Sequence, residues 1–129
     1  MSKLVRHVFV VDDEILITES LAMILSREGF TVSSFTNPLE ALEHLKTSPP
    51  DLLISDISMP QLSGVDLAIE VRKSQPDCEI LLFSGQAATK DWLKKARKDG
   101  HNFRILLKPL HPSELLREIE QLKVVPAPN

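Results

Sequence analysis

The length, composition and charge of the chain describe a small folded protein and exclude several classes of function. Its 129 residues are 43% hydrophobic and 26% charged, a balance that supports a packed core. A formal net charge of −3, with five Phe, one Trp and no Tyr, argues against a dedicated nucleic-acid module. The single cysteine excludes an internal disulfide framework, and no apolar run approaches the roughly 18 residues of a membrane span.

The two ends of the chain set the expected limits of the domain. The basic segment 1–7 lacks the apolar core of a signal peptide, so we expect a cytoplasmic protein without membrane contact. The segment 124–129 carries two prolines, and we expect it to form a flexible tail. The predicted organisation is therefore one domain over residues 1–129, with its core at about 5–123.

Five short apolar runs predict the strands, and they lie at 7–11, 31–35, 51–55, 79–83 and 103–107. Because the runs mostly do not alternate with polar residues, they are typical of strands buried on both faces. The starts of successive runs are 20 to 28 residues apart, which leaves room for one helix and two loops each time. The pattern predicts an α/β fold with a parallel, doubly wound sheet and helices on both faces.

Each segment between or after these runs carries signals of a helix. The first helix has apolar residues at helical spacing and is closed by Gly29. The second opens at Asn37-Pro38, as an N-cap and first helical residue, and the third is stopped by Pro76. The fourth ends at Gly100, and the fifth opens at His111-Pro112.

Polar residues follow four of the five predicted strands. Asp12 and Asp13 come after the first strand, Asp56 after the third, Ser84 after the fourth and Lys108 after the fifth. Each residue alone has an ordinary explanation, as a helix cap, a turn residue or a solvated side chain. The carboxyl ends of parallel strands, however, meet at one edge, where ligands of such sheets bind. The joint placement therefore predicts a site built from three carboxylates, a hydroxyl and an ammonium.

The chemistry of this residue set favours phosphoryl transfer. Three crowded carboxylates repel one another, and a hard divalent ion such as Mg²⁺, which prefers oxygen ligands, would relieve the repulsion. A carboxylate can also act as a nucleophile and form an aspartyl phosphate. Phosphoryl transfer needs mainly positioning and charge stabilisation, which a lysine and Mg²⁺ supply, while a hydroxyl such as Ser84 can donate to a phosphoryl oxygen.

From Val8 to about Leu122 the sequence resembles the receiver domain of two-component response regulators. The motifs that carry the resemblance are Val11-Asp12-Asp13-Glu14, Asp56-Ile57-Ser58-Met59-Pro60 with Gly64, Ser84-Gly85 and Lys108-Pro109. Any one of these motifs is weak evidence, but the ordered set is highly specific. The resemblance implies a flavodoxin-like fold with five strands in the order 2-1-3-4-5.

The resemblance also implies a role for each site residue. Asp56 would accept a phosphoryl group from the phosphohistidine of a histidine kinase or a phosphotransfer protein. The implied ligands of Mg²⁺ are Asp12, Asp13, Asp56 and the backbone carbonyl of Ser58. Ser84 and Lys108 would respond to the phosphoryl group. The protein would be a regulatory switch that catalyses only its own phosphorylation and dephosphorylation, not a turnover enzyme.

The expected partners and two alternative functions follow from the same residues. Besides the phosphodonor, a second copy is a candidate partner, through the face of the fourth helix, fifth strand and fifth helix; no nucleic-acid contact is expected. A haloacid-dehalogenase-like phosphatase would need a second Asp two residues after Asp56, where this chain has Ser58. A flavodoxin-like electron carrier would need a Ser/Thr-rich phosphate loop after the first strand, and the sequence has none there.

The sequence departs from the family pattern near Lys108. The family usually has Tyr or Phe three residues before the lysine, and this chain has Ile105 there, with Phe103 two residues earlier. This leaves open whether Ile105 or Phe103 replaces the aromatic residue that moves on activation. The Lys108-Pro109 bond is often cis in the family, and the sequence does not decide its state.

Overall fold

From residue 8 onward, strands and helices alternate along the chain in the computed structural model, as the apolar runs predict. The structure describes residues 3–85, 89–101, 103–109 and 111–128, with the side chains of 89–93 left out. The elements in chain order are β1 (Lys3–Val5), β2 (Val8–Val11), α1 (Ile15–Arg27), β3 (Val32–Phe35), α2 (Pro38–His44), β4 (Leu52–Asp56), α3 (Gly64–Ser74), β5 (Glu79–Ser84), α4 (Thr89–Lys98), β6 (Arg104–Leu107), α5 (Pro112–Gln121) and β7 (Val124–Pro126).

The main sheet has five parallel strands in the order β3-β2-β4-β5-β6. Counting only the five predicted strands, this is the order 2-1-3-4-5, so the expected fold class is confirmed. The central strands β2 and β4 are buried along their whole length. Successive strands are added to the sheet on one side of β2 and then on the other, so the strand order reverses beside β2. This places the loops after β2 and β4 at the crevice where such sheets bind ligands.

Local capping explains where the helices begin and end. The side chain of Asn37 accepts a hydrogen bond from the backbone N–H of Leu39, and that of Ser63 accepts one from Asp66. Gly29 closes α1 with a φ of 97°, in the left-handed region that glycine adopts without strain. None of the helices in the described part of the chain combines the length and the apolar character needed to cross a membrane.

The helices cover the two faces of the sheet and divide the core in two. The core on one face joins α2, α3 and α4 to side chains such as Leu53 and Leu82. The core on the other face joins α1 and α5 to side chains such as Ile54 and Leu81. Neighbouring residues of β4 and β5 thus belong to opposite cores, as the alternation of side chains along a strand requires.

A second, two-stranded sheet corrects the prediction for the end of the chain. The expected flexible tail from residue 124 is wrong for Val124–Pro126, which form β7 and pair in parallel with β1. Val5 and Val124 on these strands are 1% and 5% exposed and join the core beneath α1 and α5. Burial of these two valines accounts for the order of a segment in which Pro126 and Pro128 would otherwise favour an irregular end.

Two predicted strand ends also shift toward the site. The apolar runs end at Ser55 and Phe83, but β4 extends to Asp56 and β5 to Ser84. The backbone N–H of Ile57 donates to the carbonyl of Phe83 at 3.0 Å, so pairing continues past Asp56. The two polar residues are therefore held by the sheet itself and do not lie on the loops that follow it.

Candidate functional site at the carboxyl edge of the sheet

Three carboxylates meet where β2 and β4 end. Asp12 and Asp13 follow β2, Asp56 is the last residue of β4, and one carboxylate oxygen from each lies within 4.8 Å of the others. Asp12 and Asp56 are 0% and 6% exposed, whereas Asp13 is open to solvent. The arrangement is a cluster of hard oxygen ligands with one accessible side, which suits a divalent cation such as Mg²⁺.

Lys108 supplies the positive charge that faces this cluster. It follows β6, and its Nζ lies 3.4 Å from Oδ2 of Asp12 and 3.3 Å from Oδ2 of Asp56. One ammonium group therefore serves two buried carboxylates, and the exposed carboxylate of Asp13 adds a third negative charge. With all groups ionised the cluster keeps a net negative charge, which favours the binding of a cation.

The buried position of the carboxylates changes their acidity. Burial raises the pKa of Asp12 above its ordinary value, even though the N–H of Glu14 and the Lys108 ammonium act in the opposite direction. Burial likewise raises the pKa of Asp56, against the attraction of Lys108. For Lys108, burial acts to lower the pKa, but the carboxylates of Asp12 and Asp56 together outweigh it and the pKa is raised.

Backbone groups orient the two buried carboxylates. Oδ1 of Asp12 accepts a hydrogen bond from the N–H of Glu14 at 2.9 Å, in the manner of a turn that precedes α1. Burial outweighs the other influences on the pKa of Asp56, and the backbone N–H of Ser58, in the exposed loop after β4, acts to lower it. Ser58 thus lies close enough to Asp56 to affect its acidity, and the role of its backbone carbonyl as a metal ligand stays a prediction.

Gly64 has a steric role that the sequence indicates only as loop punctuation. A Cβ atom at this position would lie 2.1 Å from the carbonyl oxygen of Asp56, far inside normal contact. The N–H of Gly64 donates to the carbonyl of Ile57 at 2.8 Å. The first residue of α3 therefore packs directly on the backbone of Asp56, and only glycine permits this approach.

Ser84 and Lys108 are joined through the backbone beside the carboxylates. Ser84 is 4% exposed at the end of β5, and its carbonyl accepts a hydrogen bond from the N–H of Lys108 at 2.9 Å. The Lys108-Pro109 peptide bond is cis, which resolves the state that the sequence leaves open. The structure thus brings five of the predicted side chains to one edge: Asp12, Asp13, Asp56, Ser84 and Lys108.

The two candidates for a moving side chain have different surroundings. Phe103 is 8% exposed, lies parallel to the His101 ring with centroids 5.6 Å apart, and is covered by the Arg72 guanidinium at 5.3 Å. Ile105 is half-buried on β6 and packs against the core of α2, α3 and α4. Phe103 is therefore fixed by neighbours at the start of β6, at the end of the strand opposite the carboxylates.

An apolar surface adjoins the acidic cluster. Ile15 and Leu16, at the start of α1 and just beyond Asp13, are 58% and 75% exposed. A mainly apolar groove of about 600 Å³ runs between α1 and α5 and reaches Lys108. Exposed apolar side chains grouped in this way are typical of surfaces that contact another protein.

Comparison with known proteins identifies the class of protein to which this fold and this acidic sheet edge belong. The family model described as the response regulator receiver domain matches residues 8–120 of this chain. The chain belongs to the response regulator receiver domain family. Receiver domains are regulatory components of two-component systems, and phosphorylation-dependent signalling is their general function.

Individual relatives share this architecture over nearly their full length. The response regulator receiver protein CpdR of Brucella abortus is 29% identical, with 92% of this chain and 98% of the relative covered. The chemotaxis protein CheY of Thermotoga maritima is 30% identical, with 91% and 97% covered. Among solved structures, Vibrio cholerae CheY4 superposes with a TM-score of 0.78 at 26% identity, covering 91% of this chain and 98% of that one.

Proposed function

We propose that Asp56 is the phosphoryl acceptor of this receiver domain and that Asp12, Asp13, Ser84 and Lys108 assist the transfer. The observation that carries the proposal is the convergence of three carboxylates within 4.8 Å, with one lysine ammonium facing two of them. Asp56 has the nucleophilic oxygens, one of which lies 3.3 Å from Nζ of Lys108, and it stands where the family motif has its acceptor. The whole chain acts as one regulatory domain whose reaction occurs on its own side chain.

The transfer forms one oxygen–phosphorus bond and breaks one phosphorus–nitrogen bond. A carboxylate oxygen of Asp56 attacks phosphorus, the phosphorus–nitrogen bond of the donor phosphohistidine breaks, and its electron pair stays on the imidazole. The product is an acyl phosphate on Asp56. Lys108 leaves its shared position between Asp12 and Asp56 to neutralise the added charge, and the Ser84 hydroxyl donates to a phosphoryl oxygen.

The carboxylates fit Mg²⁺ as the assisting ion. The donor set consists only of hard oxygens, and burial without enough counter-charge raises the pKa of both Asp12 and Asp56. We propose Asp12, Asp13, Asp56 and the carbonyl of Ser58 as the residues that hold the ion. When bound, Mg²⁺ supplies positive charge for the oxygens of the transferred group.

The donor is a histidine kinase or a histidine phosphotransfer protein. The exposed side chains of Ile15 and Leu16 beside Asp13 provide an apolar surface on which such a partner can place its phosphohistidine near Asp56. We propose a cytoplasmic setting, because the donor carries its phosphohistidine there. A second copy, bound through α4, β6 and α5, is a further proposed partner of the phosphorylated form.

Mass spectrometry after incubation with acetyl phosphate and Mg²⁺ tests the proposal. We expect the covalent gain of one phosphoryl group by the wild-type protein, with release of acetate. Asp56→Asn keeps the shape of the side chain but lacks the nucleophile, so it should gain none. Modification of Asp56→Asn at the wild-type rate would show that another residue is the acceptor.

A further inference from the structure

Ser55 is a buried hydroxyl inside an otherwise apolar part of the sheet. It is 0% exposed on β4, and its register partners on the neighbouring strands are Val11 and Leu82. A hydroxyl in such surroundings is unfavourable unless it forms a hydrogen bond. Here Oγ of Ser55 donates to the carbonyl of the next residue, Asp56, at 2.9 Å.

The same carbonyl meets the beginning of α3. Leu53 and Ile57 belong to the core on the α3 side, and Ser55 lies between them, so it shares that face of the sheet. The carbonyl oxygen of Asp56 is also the atom that a Cβ on Gly64 would overlap, at 2.1 Å. The peptide group after Asp56 is thus held by the Ser55 hydroxyl and by close packing against Gly64.

We propose that Ser55 is a positioning residue for phosphorylation, acting through the peptide group that joins Asp56 to Ile57. Rotation of that peptide would move the Asp56 carboxylate away from Lys108, which now lies at 3.3 Å, and would shift the Ser58 backbone. The Ser55 hydroxyl opposes the rotation. The inference rests on the proposed function of Asp56 as the acceptor.

The contribution of the hydroxyl can be separated from that of packing. Ser55→Ala removes the donor and leaves little empty space, Ser55→Cys keeps the side-chain length with a weak donor, and Ser55→Thr keeps the hydroxyl. The matched control is Ile54→Val, which trims a buried side chain of the same strand on the opposite face.

Two measurements test the proposal, one of them independent of metal and phosphoryl donor. The first is the rate of phosphorylation by acetyl phosphate as a function of Mg²⁺ concentration. The second is amide hydrogen exchange at Gly64 in the metal-free protein, because its N–H donates to Ile57 within the same local structure. Melting temperatures are recorded for all variants.

The expected pattern depends on the hydroxyl. Ser55→Ala and Ser55→Cys should be phosphorylated about three- to ten-fold more slowly at limiting Mg²⁺, the range for loss of one hydrogen bond. They should require more Mg²⁺ for half-maximal rate and exchange the Gly64 amide faster. Ser55→Thr should stay near the wild type, and Ile54→Val should lower only the melting temperature.

Two results would overturn the proposal. One is wild-type phosphorylation and Gly64 exchange in Ser55→Ala. The other is slowing of all four variants in proportion to their loss of melting temperature, which would make Ser55 a packing residue. Absence of phosphorylation in the wild type would instead contradict the proposed function, and Gly64 exchange would still decide whether Ser55 holds the backbone there.

Discussion

At the scale of single residues, the acidic cluster concentrates negative charge in buried positions at the expense of stability. Asp12 and Asp56 are almost inaccessible, and both share the ammonium of Lys108. Burial disfavours their ionised forms, and the repulsion from Asp13 adds to this effect at Asp56. In the metal-free protein, a neutral side chain of the same shape in place of one of these carboxylates would therefore remove an unfavourable buried charge.

Asp56→Asn should accordingly make the metal-free protein more stable at neutral pH, because the amide is neutral and is not disfavoured by burial as the carboxylate is. Because the pKa of Asp56 is raised on folding, its stabilising contribution is present below the ordinary carboxyl pKa and is lost as pH rises through the raised value. The difference between variant and wild type should shrink on acidification. Urea unfolding in EDTA at a series of pH values measures it, and a variant less stable than the wild type at neutral pH would contradict this account.

At the scale of elements, helix starts and strand ends set the geometry of the site. The first turn of α3 packs on the backbone of Asp56 through Gly64, while α1 starts just after Asp13 and exposes Leu16. β6 delivers Lys108 to the carboxylates and carries Ile105 toward the core of α3 and α4. Each of these elements gives a separate prediction.

Gly64→Ala should destabilise the protein by about 2 kcal/mol, the range for an overpacked site, and should slow phosphorylation by acetyl phosphate. The added methyl cannot remain 2.1 Å from the Asp56 carbonyl, so either α3 or the strand end must move. Gly85→Ala is the steric control, since its new Cβ would lie 3.6 Å from Lys108, an ordinary contact. Equal stability of the two variants would argue against the proposed close packing.

Leu16→Ser should leave stability and phosphorylation by acetyl phosphate nearly unchanged, because the side chain is 75% exposed. Transfer from a phosphohistidine donor protein should become slower, by about ten-fold for the loss of one central apolar contact. Met23→Ser, at another exposed position two turns further along α1, serves as the control. Comparison of the two donors by gel-shift kinetics checks the prediction, and an equal loss with both donors would refute it.

Ser84→Ala should weaken the response of α4 to phosphorylation, because it removes the hydroxyl that we propose donates to the phosphoryl group. Ile105→Ala should retain the response, since Ile105 is β-branched and lacks the rotamer freedom of an aromatic switch. The single Trp of the chain, Trp92, lies on α4 with its side chain outside the described residues, and its fluorescence reports on that region. Loss of the fluorescence change in Ile105→Ala alone would show that position 105 is a working switch.

At the scale of the whole molecule, the two edges of the sheet have different tasks. The carboxyl edge gathers the acidic cluster, and the amino edge is tied by β1 and β7, which lie outside the residues that match the family. The N–H of Arg6 donates to Asp51 ahead of β4, and the N–H of Ala127 donates to the carbonyl of Val5. Both ends of the described chain are thus held by hydrogen bonds at the sheet edge opposite the acidic cluster.

Global stability should respond to Mg²⁺, since an ion that binds only the folded carboxylates shifts the unfolding equilibrium. A concentration ten times the dissociation constant should add about 1.4 kcal/mol. Asp13→Ala should remove most of this gain while leaving the buried contacts of Lys108 intact. Thermal unfolding with and without Mg²⁺ measures the effect, and an unchanged wild-type melting temperature would count against the metal site.

The sequence by itself determined the order of the main strands and helices and which residues come together at the site. These features depend on signals confined to a few residues: apolar runs, the Asn37-Pro38 cap, the Gly29 stop, and polar residues placed at strand ends. A parallel sheet then brings Asp12, Asp56 and Lys108 to one edge whatever the details of packing.

Only the tertiary structure decided the features that depend on contacts distant in the chain. β7 forms because it pairs with β1, from the other end of the chain, and because Val124 is buried there. These contacts outweigh the local preference of a segment that contains proline. Gly64 and Ser55 both contact the carbonyl of Asp56, because α3 packs closely onto that peptide group. No local sequence motif specifies how closely α3 approaches it. Propensity and periodicity act within one element, whereas close packing is settled only when separate elements meet.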